Sequence, residues 1–315
     1  MRKAHHLKTL KRRLVMKGNW YYAIIGAAVG MMVILVFPNA VNDAPHPVEV
    51  RPSTVKPFAV PNQLFFANEP LPLQRLDVQE KLDREVLVNS YWQSNNLLML
   101  KRAVKYFPII EPILEKNGIP DDFKYLALIE SGLQNVVSPA GAAGYWQIMK
   151  TTGRENGLVV DQDIDERYHI VKSTEVACAY LNEAYERFGN WTLAAASYNM
   201  GMAGTERRLE EQQVNNYYDL LLNSETARYV YRIAAVKHIH ENLTAFGYVF
   251  HEDQGYRLPA MDTIAVEGPV ESWIQWAIEH GATYQTLREY NPWIRDDHWT
   301  YNASGQTITL WLPKK

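Results

Sequence analysis

The chain has 315 residues, 47% of them hydrophobic, enough for about two domains with real cores. Residues 1–19 hold seven basic side chains (Arg2, Lys3, Lys8, Lys11, Arg12, Arg13, Lys17) and no acid, which leaves 25 basic against 35 acidic residues beyond, a net of −10. That acidic body excludes nucleic acid as the main partner, and a single cysteine, Cys178, excludes an intrachain disulfide.

The basic head at 1–19 runs into an uncharged stretch of 18 residues, 20–37, rich in Ile, Val, Ala, Gly and Met. As a helix it spans ~27 Å, near the thickness of a hydrocarbon core. Trp20, Tyr21 and Tyr22 stand at its start, where amphipathic rings favour a membrane interface. The pattern predicts a single transmembrane anchor at 20–37, a cytoplasmic head, and an extracytoplasmic body. The rival is a cleaved signal peptide, disfavoured by the long apolar run and by Pro38-Asn39-Ala40, a poor small-x-small site.

Residues 38–75, rich in Pro and Asn with little periodicity, predict an extended linker. From 76 to about 250 helical signals dominate. Apolar spacing of three and four over 79–117 predicts two helices divided at Pro108 and ended by Gly118. A further helix begins at Ile119-Pro120-Asp121, and others are expected at 172–188, 191–200, 205–222 and 225–245. Cys178, flanked by Val176, Ala177 and Ala179, is expected to pack in the core. Beyond residue 261 the period changes. Strands are predicted near 262–268 and 306–313, with short helices at 272–280 and 284–290 between them. The fold class is therefore mainly α, an all-helical domain at 76–250 with a small βααβ domain at 261–315.

Phe123, Leu126, Ala127 and Glu130 share one face of the helix that starts at 120, which places a carboxylate on the buried stripe at the helix end. Desolvation there would raise its pKa and keep a proton available for a leaving oxygen. A buried acid satisfied by an Arg or by backbone amides is the equal alternative on this feature alone. Between Ser138 and Met149 two glycines and three alanines let the backbone approach a bulky ligand. Gln147 can bond hydroxyls and acetamides, and Tyr145 or Trp146 can stack on a sugar face. Tyr198 and Asn199 put a phenol and an amide at another helix end, and Glu225 to Val230 form a further polar-aromatic cluster. Each of these, taken singly, also suits core packing and capping.

Glu130-Ser131, Gly144-Tyr145-Trp146-Gln147, Ala196-Ser197-Tyr198-Asn199 and Glu225-Thr226 with Tyr229-Val230 resemble, in order and spacing, the four motifs of the lysozyme-like lytic transglycosylases. The family usually has Leu, Met or Phe where Tyr145 stands. The resemblance implies a lysozyme-like catalytic domain that cleaves the β-1,4 bond between N-acetylmuramic acid and N-acetylglucosamine in peptidoglycan, leaving a 1,6-anhydro-muramic acid end. It implies Glu130 as the one catalytic acid/base, with Ser138, Tyr145, Gln147, Tyr198 and Asn199 binding substrate. Ser131, Glu225 and Tyr229 would support them from behind. The alternatives are a lysozyme-type hydrolase, which needs a second acid, and a glycan-binding scaffold without turnover. The stretches Ile264-Ala265-Val266, Trp276-Ala277 with His280-Gly281, Leu287 with Tyr290-Asn291-Pro292, and Ile308 with Leu312-Pro313 sit in a unit that resembles a LysM domain, a peptidoglycan-binding module. No cofactor or metal is expected. The Asp161, Asp163, Asp165 run fails as a calcium loop because Glu166 and Lys172 stand at its sixth and twelfth positions, and it is read as a solvated scaffold. The expected partners are peptidoglycan strands and, through the anchor, the inner membrane.

Overall fold

The computed structural model describes residues 56–300 and 307–314. The anchor at 20–37 lies outside the described residues, among which no helix is long and apolar enough to cross a membrane. The described residues from 57 onward form one compact unit.

The chain enters this unit earlier than its composition suggests. Residues 57–75, read as linker, are folded onto the helices. Phe65–Phe66 (β1) and Glu69–Pro70 (β2) pair antiparallel across a turn whose central residues, Ala67 and Asn68, both have positive φ. Phe66, Leu71 and Leu73 are buried, which outweighs the lack of any periodic pattern. The Glu69 carboxylate accepts hydrogen bonds from Trp191 N (2.6 Å), Thr192 N (2.9 Å) and Thr192 Oγ1 (2.6 Å), at the start of a distant helix.

Leu76–Tyr91 (α1) and Gln93–Lys116 (α2) follow. The break falls at Trp92, not at Pro108. Asn96 Nδ2 and Tyr248 Oη take the carbonyls of Asn89 and Ser90, so the end of α1 is satisfied from outside. Pro108 and Pro112 instead ride inside α2, one turn apart on its exposed face, where water can serve the carbonyls left without a donor. A 3-10 turn, Asp121–Phe123, leads into Lys124–Ser131 (α3). Lys150–Glu155 (α4), Ile170–Phe188 (α5), Trp191–Met200 (α6), Met202–Gln212 (α7) and Thr226–Glu241 (α8) complete the helical domain. The helix expected to reach residue 222 stops at Gln212, because Gln213 turns left-handed (φ 54°) and Asn216 caps a separate 3-10 turn at Tyr217–Asp219. In the core, α8 buries Val230, Ile233, Ala234, Ala235 and Val236, and α6 buries Ala194, Ala195 and Ala196. Small side chains there let helices approach closely. Cys178 is buried among them, its thiol pushed up to about 12 by burial, an inert packing residue.

The C-terminal unit has the βααβ order read from the sequence: Met261–Glu267 (β3), Trp273–Glu279 (α9), Tyr284–Tyr290 (α10) and Thr307–Pro313 (β4). The strands pair antiparallel with Ile264 opposite Leu310 and Val266 opposite Ile308. Asn291 pins them to α10, its Nδ2 donating to Leu287 O and Trp311 O while its Oδ1 accepts from Trp311 N. This unit is packed on the helical domain. Its core of Trp273, Trp293, Ile294 and Ile308 continues into Ala143, Ile164 and Tyr168.

Replacing Glu69 with Ala strips two amides at the start of α6 of their acceptor and should cost about 1–2 kcal/mol. Urea unfolding checks this, with the midpoint falling and the slope unchanged.

Candidate active site

Helix α3 is buried on nearly every side. Besides Phe123, Leu126 and Ala127, Tyr125, Leu128 and Ile129 are buried, so the single apolar stripe read from the sequence understates how dry this helix is. Glu130 sits in its last turn, half-buried, just before Gly132 ends the helix in the left-handed conformation (φ 60°). Burial pushes the Glu130 pKa up from its ordinary 4.5. A hydrogen bond donated by Tyr229 Oη to Glu130 Oε1 and the positive charge of Arg232 oppose that rise, and the charge of Glu225 adds to it. Tyr229 and Arg232 stand three apart on α8, on one face. Both Tyr229 and Tyr198 are held well above the usual phenol range, first by burial and then by the Glu130 charge. They therefore stay protonated, as donors.

Ser131 ties this helix end to the loop 141–148, its Oγ donating to Tyr145 O (2.7 Å). Tyr198 does the same from α6, its Oη donating to Trp146 O (2.8 Å). Asn199 is wedged between helices, accepting from Thr226 Oγ1 (2.7 Å) and donating to Glu225 Oε1 (3.2 Å). Glu225 is exposed at the start of α8. The structure thus gathers Glu130, Ser131, Tyr198, Asn199, Glu225 and Tyr229 into one connected cluster.

Three residues stand differently from their sequence reading. Tyr145 and Trp146 offer no face for stacking, because both are buried. The Tyr145 ring packs on Tyr106 with centroids 4.9 Å apart, and its Oη bonds Tyr106 and Asn135. Trp146 Nε1 donates to Thr174 Oγ1 (2.8 Å). Rings of this size gain more from the core than from solvent. Gln147 has positive φ (49°) and turns its Nε2 onto the carbonyls of Val136 and Gly144, leaving Oε1 as its available group. Ser138 closes the turn that opens the loop, its Oγ accepting from Ala142 N (3.0 Å).

The acidic run is not solvated scaffold throughout. Asp165, Glu166 and Arg167 are buried, and Arg167 pairs with Asp165 while Lys172 pairs with Glu166. Asp163, Asp296 and His298 bring possible metal-ligand atoms within 4.8 Å of one another, but Asp163 Oδ2 already accepts from Thr300 N (2.7 Å). None of these three contacts the Glu130 cluster in the bonds described above. Sequence reasoning missed Arg232 and Arg167. The first was detectable as the residue one turn beyond Tyr229; the second stands at the end of the acidic run read as scaffold, and nothing local pointed to its reach across to Gly141 and Ile148.

Residues 107–221 match the family model "Transglycosylase SLT domain", and residues 262–315 match "Soluble lytic transglycosylase C-terminal LysM-like domain". The chain carries an SLT transglycosylase domain. The first match contains Glu130, the loop 141–148 and Tyr198, and the second is the packed βααβ unit, a LysM-like domain. Over 226 residues the chain is 28% identical to membrane-bound lytic murein transglycosylase D of Escherichia coli K12, covering 68% of this chain and 47% of the relative. The chain thus spans about half the length of the curated relatives it matches. Among solved structures, the 70 kDa soluble lytic transglycosylase of Escherichia coli is similar at 19% identity and a TM-score of 0.40, covering 52% of this chain and 30% of that one. Lytic transglycosylase Slt of Pseudomonas aeruginosa is similar at 21% identity and a TM-score of 0.37, covering 44% and 24%.

The raised pKa of Glu130 has a consequence for stability. Its carboxyl binds a proton more tightly folded than unfolded, so stability from this group is present below pH 4.5 and is lost as pH rises toward the folded pKa. Glu130→Gln lacks that loss. The variant should match the native protein near pH 4 and exceed it in melting temperature at pH 7, as calorimetry at both pH values would register.

Proposed function

We propose that the protein is a peptidoglycan lytic transglycosylase and that Glu130 is its catalytic acid and base. The observation that carries this reading is a desolvated carboxyl, bonded by Tyr229, inside a segment that matches the SLT domain. Burial keeps a proton on Glu130 for the glycosidic oxygen linking N-acetylmuramic acid to N-acetylglucosamine. Once that bond breaks, the Glu130 carboxylate takes the proton of the C6 hydroxyl of the same muramyl unit, whose oxygen closes on C1 as a 1,6-anhydro ring. The internal hydroxyl stands where a hydrolase needs a water and a second carboxylate. Arg232 and the Tyr229 donor stabilise the carboxylate between the two steps, so one group can both give and take a proton. Tyr198, Asn199 and the Oε1 of Gln147 orient the sugar, and Ser131, Ser138 and Tyr145 hold the loop that lines it.

One observation favours a second reading. Glu225 is exposed and its charge reaches Glu130, so a muramidase could use it to activate water. Its bond from Asn199 suits a fixed charge better than a base. The products separate the two. Sacculi treated with the protein should release muropeptides ending in 1,6-anhydro-muramic acid by mass spectrometry; reducing muramyl ends as the main product would replace this reading with hydrolysis. Glu130→Gln should lower release by about 10²-fold or more while sacculus binding persists.

The reading extends to location. The basic head and apolar run at 1–37 support an inner-membrane anchor with the body on the periplasmic side, as does the name of the membrane-bound relative. A phosphatase joined after residue 50 should be active and sediment with membranes; soluble, shortened protein would mark a cleaved signal instead.

A further inference from the structure

Arg167 joins two parts of the molecule that the proposed chemistry does not itself connect. Its buried guanidinium grips Asp165 with two prongs, Nε to Oδ1 (2.9 Å) and Nη2 to Oδ2 (2.7 Å). Its Nη1 donates to Gly141 O (2.9 Å) and Ile148 O (3.0 Å), the two ends of the loop that lines the site. The Arg167 carbonyl oxygen lies 1.9 Å from where a Cβ on Gly144 would stand, so the middle of the loop also rests on it. Gly144, with φ 79°, is the residue that permits this approach.

The segment that carries Arg167 is held in turn by the LysM-like domain. Asp165 N donates to Trp293 O (2.8 Å), and Arg295 N donates to Asp163 O (2.7 Å). Ile164 and Ile294 form an antiparallel bridge. The Arg295 guanidinium lies 4.4 Å from the Tyr168 ring centroid, and His169 stacks on Trp293 at 4.0 Å. Ala143, inside the loop itself, belongs to the same apolar cluster as Trp273 and Ile294.

We infer that the LysM-like domain sets the geometry of the active site, with Arg167 as the positioning residue through which it acts. The loop sinks Tyr145, Trp146 and Ile148 into the core, but its first half, residues 141–144, is only Gly and Ala and takes its shape from the groups that hold its backbone. Its carbonyls at Tyr145 and Trp146 receive Ser131 and Tyr198, the groups that flank Glu130. When Asp165 leaves Trp293, the fork of Arg167 moves with it and both loop ends shift against Glu130. A shift on the order of 1 Å around a reacting centre costs about 10²-fold in rate. The inference rests on the proposed transglycosylase reading for its activity readout only. A domain that merely captured glycan would change KM and leave the loop alone.

The test uses the full chain in two forms. Asp163→Ala with Arg295→Ala removes the bond from Thr300 and the cation on Tyr168 without touching either core. Arg167→Ala removes the fork directly, and Arg167→Lys restores the charge without the two-pronged geometry. Amide exchange at Ala143, Gly144 and Ile148 should quicken about tenfold in the double variant and in Arg167→Ala, with α5 and α8 unchanged. On peptidoglycan, kcat should fall about tenfold or more with KM held within about twofold, and Arg167→Lys should recover part of the loss. Unchanged loop exchange in Arg167→Ala overturns the inference. So does faster exchange at Asp165 with a steady loop in the double variant, or a rise in KM at constant kcat. If Arg167→Ala does not fold, the double variant decides. A native protein without transglycosylase products refutes the functional reading alone, because the exchange measurement still stands.

Discussion

Glu130 can act as proposed only while its carboxyl is held at the end of a helix that is apolar almost all round, because desolvation is the largest influence on its proton affinity. Much of the helical domain serves that condition. Helix α3 is eight residues long, too short to be stable alone, and takes its stability from burial against its neighbours α2 and α8. The same packing brings Tyr229 and Arg232 to the carboxyl, so the helix that dries the site also supplies its donor and its counter-charge. Without them a buried carboxylate would be prohibitively costly; with them its pKa is raised but the charged form remains reachable.

The second requirement is a shaped loop. Residues 141–148 form no helix or strand, and besides burying Tyr145, Trp146 and Ile148 they are held by three separate elements. Ser131 holds the Tyr145 carbonyl from α3, Tyr198 holds the Trp146 carbonyl from α6, and Arg167 holds both ends. The aromatic residues of the loop face the protein for the same reason: Tyr145 and Trp146 anchor it, which removes them as sugar platforms. Arg167 can be buried because Asp165 and two carbonyls account for all three of its nitrogens. The LysM-like domain, by engaging Asp163, Asp165 and His169, becomes part of this support.

The fold readings that the structure bears out rest on local periodicity. The change from a period of three and four to a period of two at residue 261 marks the βααβ unit, since Ile308, Leu310 and Leu312 must face one way along a strand. Glu130 stands out as a candidate only beside the motifs that follow it, Gly144-Tyr145-Trp146-Gln147 and Ser197-Tyr198-Asn199, because on its own helix a structurally satisfied acid suits the pattern equally. The readings that failed depend on distant partners. Residues 57–75 lack a pattern because Phe66, Leu71 and Leu73 fill gaps among helices rather than one face of an element. Trp92 breaks a helix because Asn96 and Tyr248 satisfy it, and Pro108 does not because its face meets water.

The amino-acid sequence alone determined most of the helices, the change of architecture near residue 261, the candidate acid and the order of the polar residues that gather around it. These follow from short-range rules: helical and strand periods, turn residues, and the free energy of burying apolar side chains. Tertiary structure decided the electrostatics and the orientation of the site. The Tyr229 bond, the charges of Arg232 and Glu225, the inward turn of Tyr145 and Gln147, and the bridge from Trp293 through Arg167 all join residues far apart in sequence. Electrostatic energy depends on distance and burial in space, and a linear spacing carries neither.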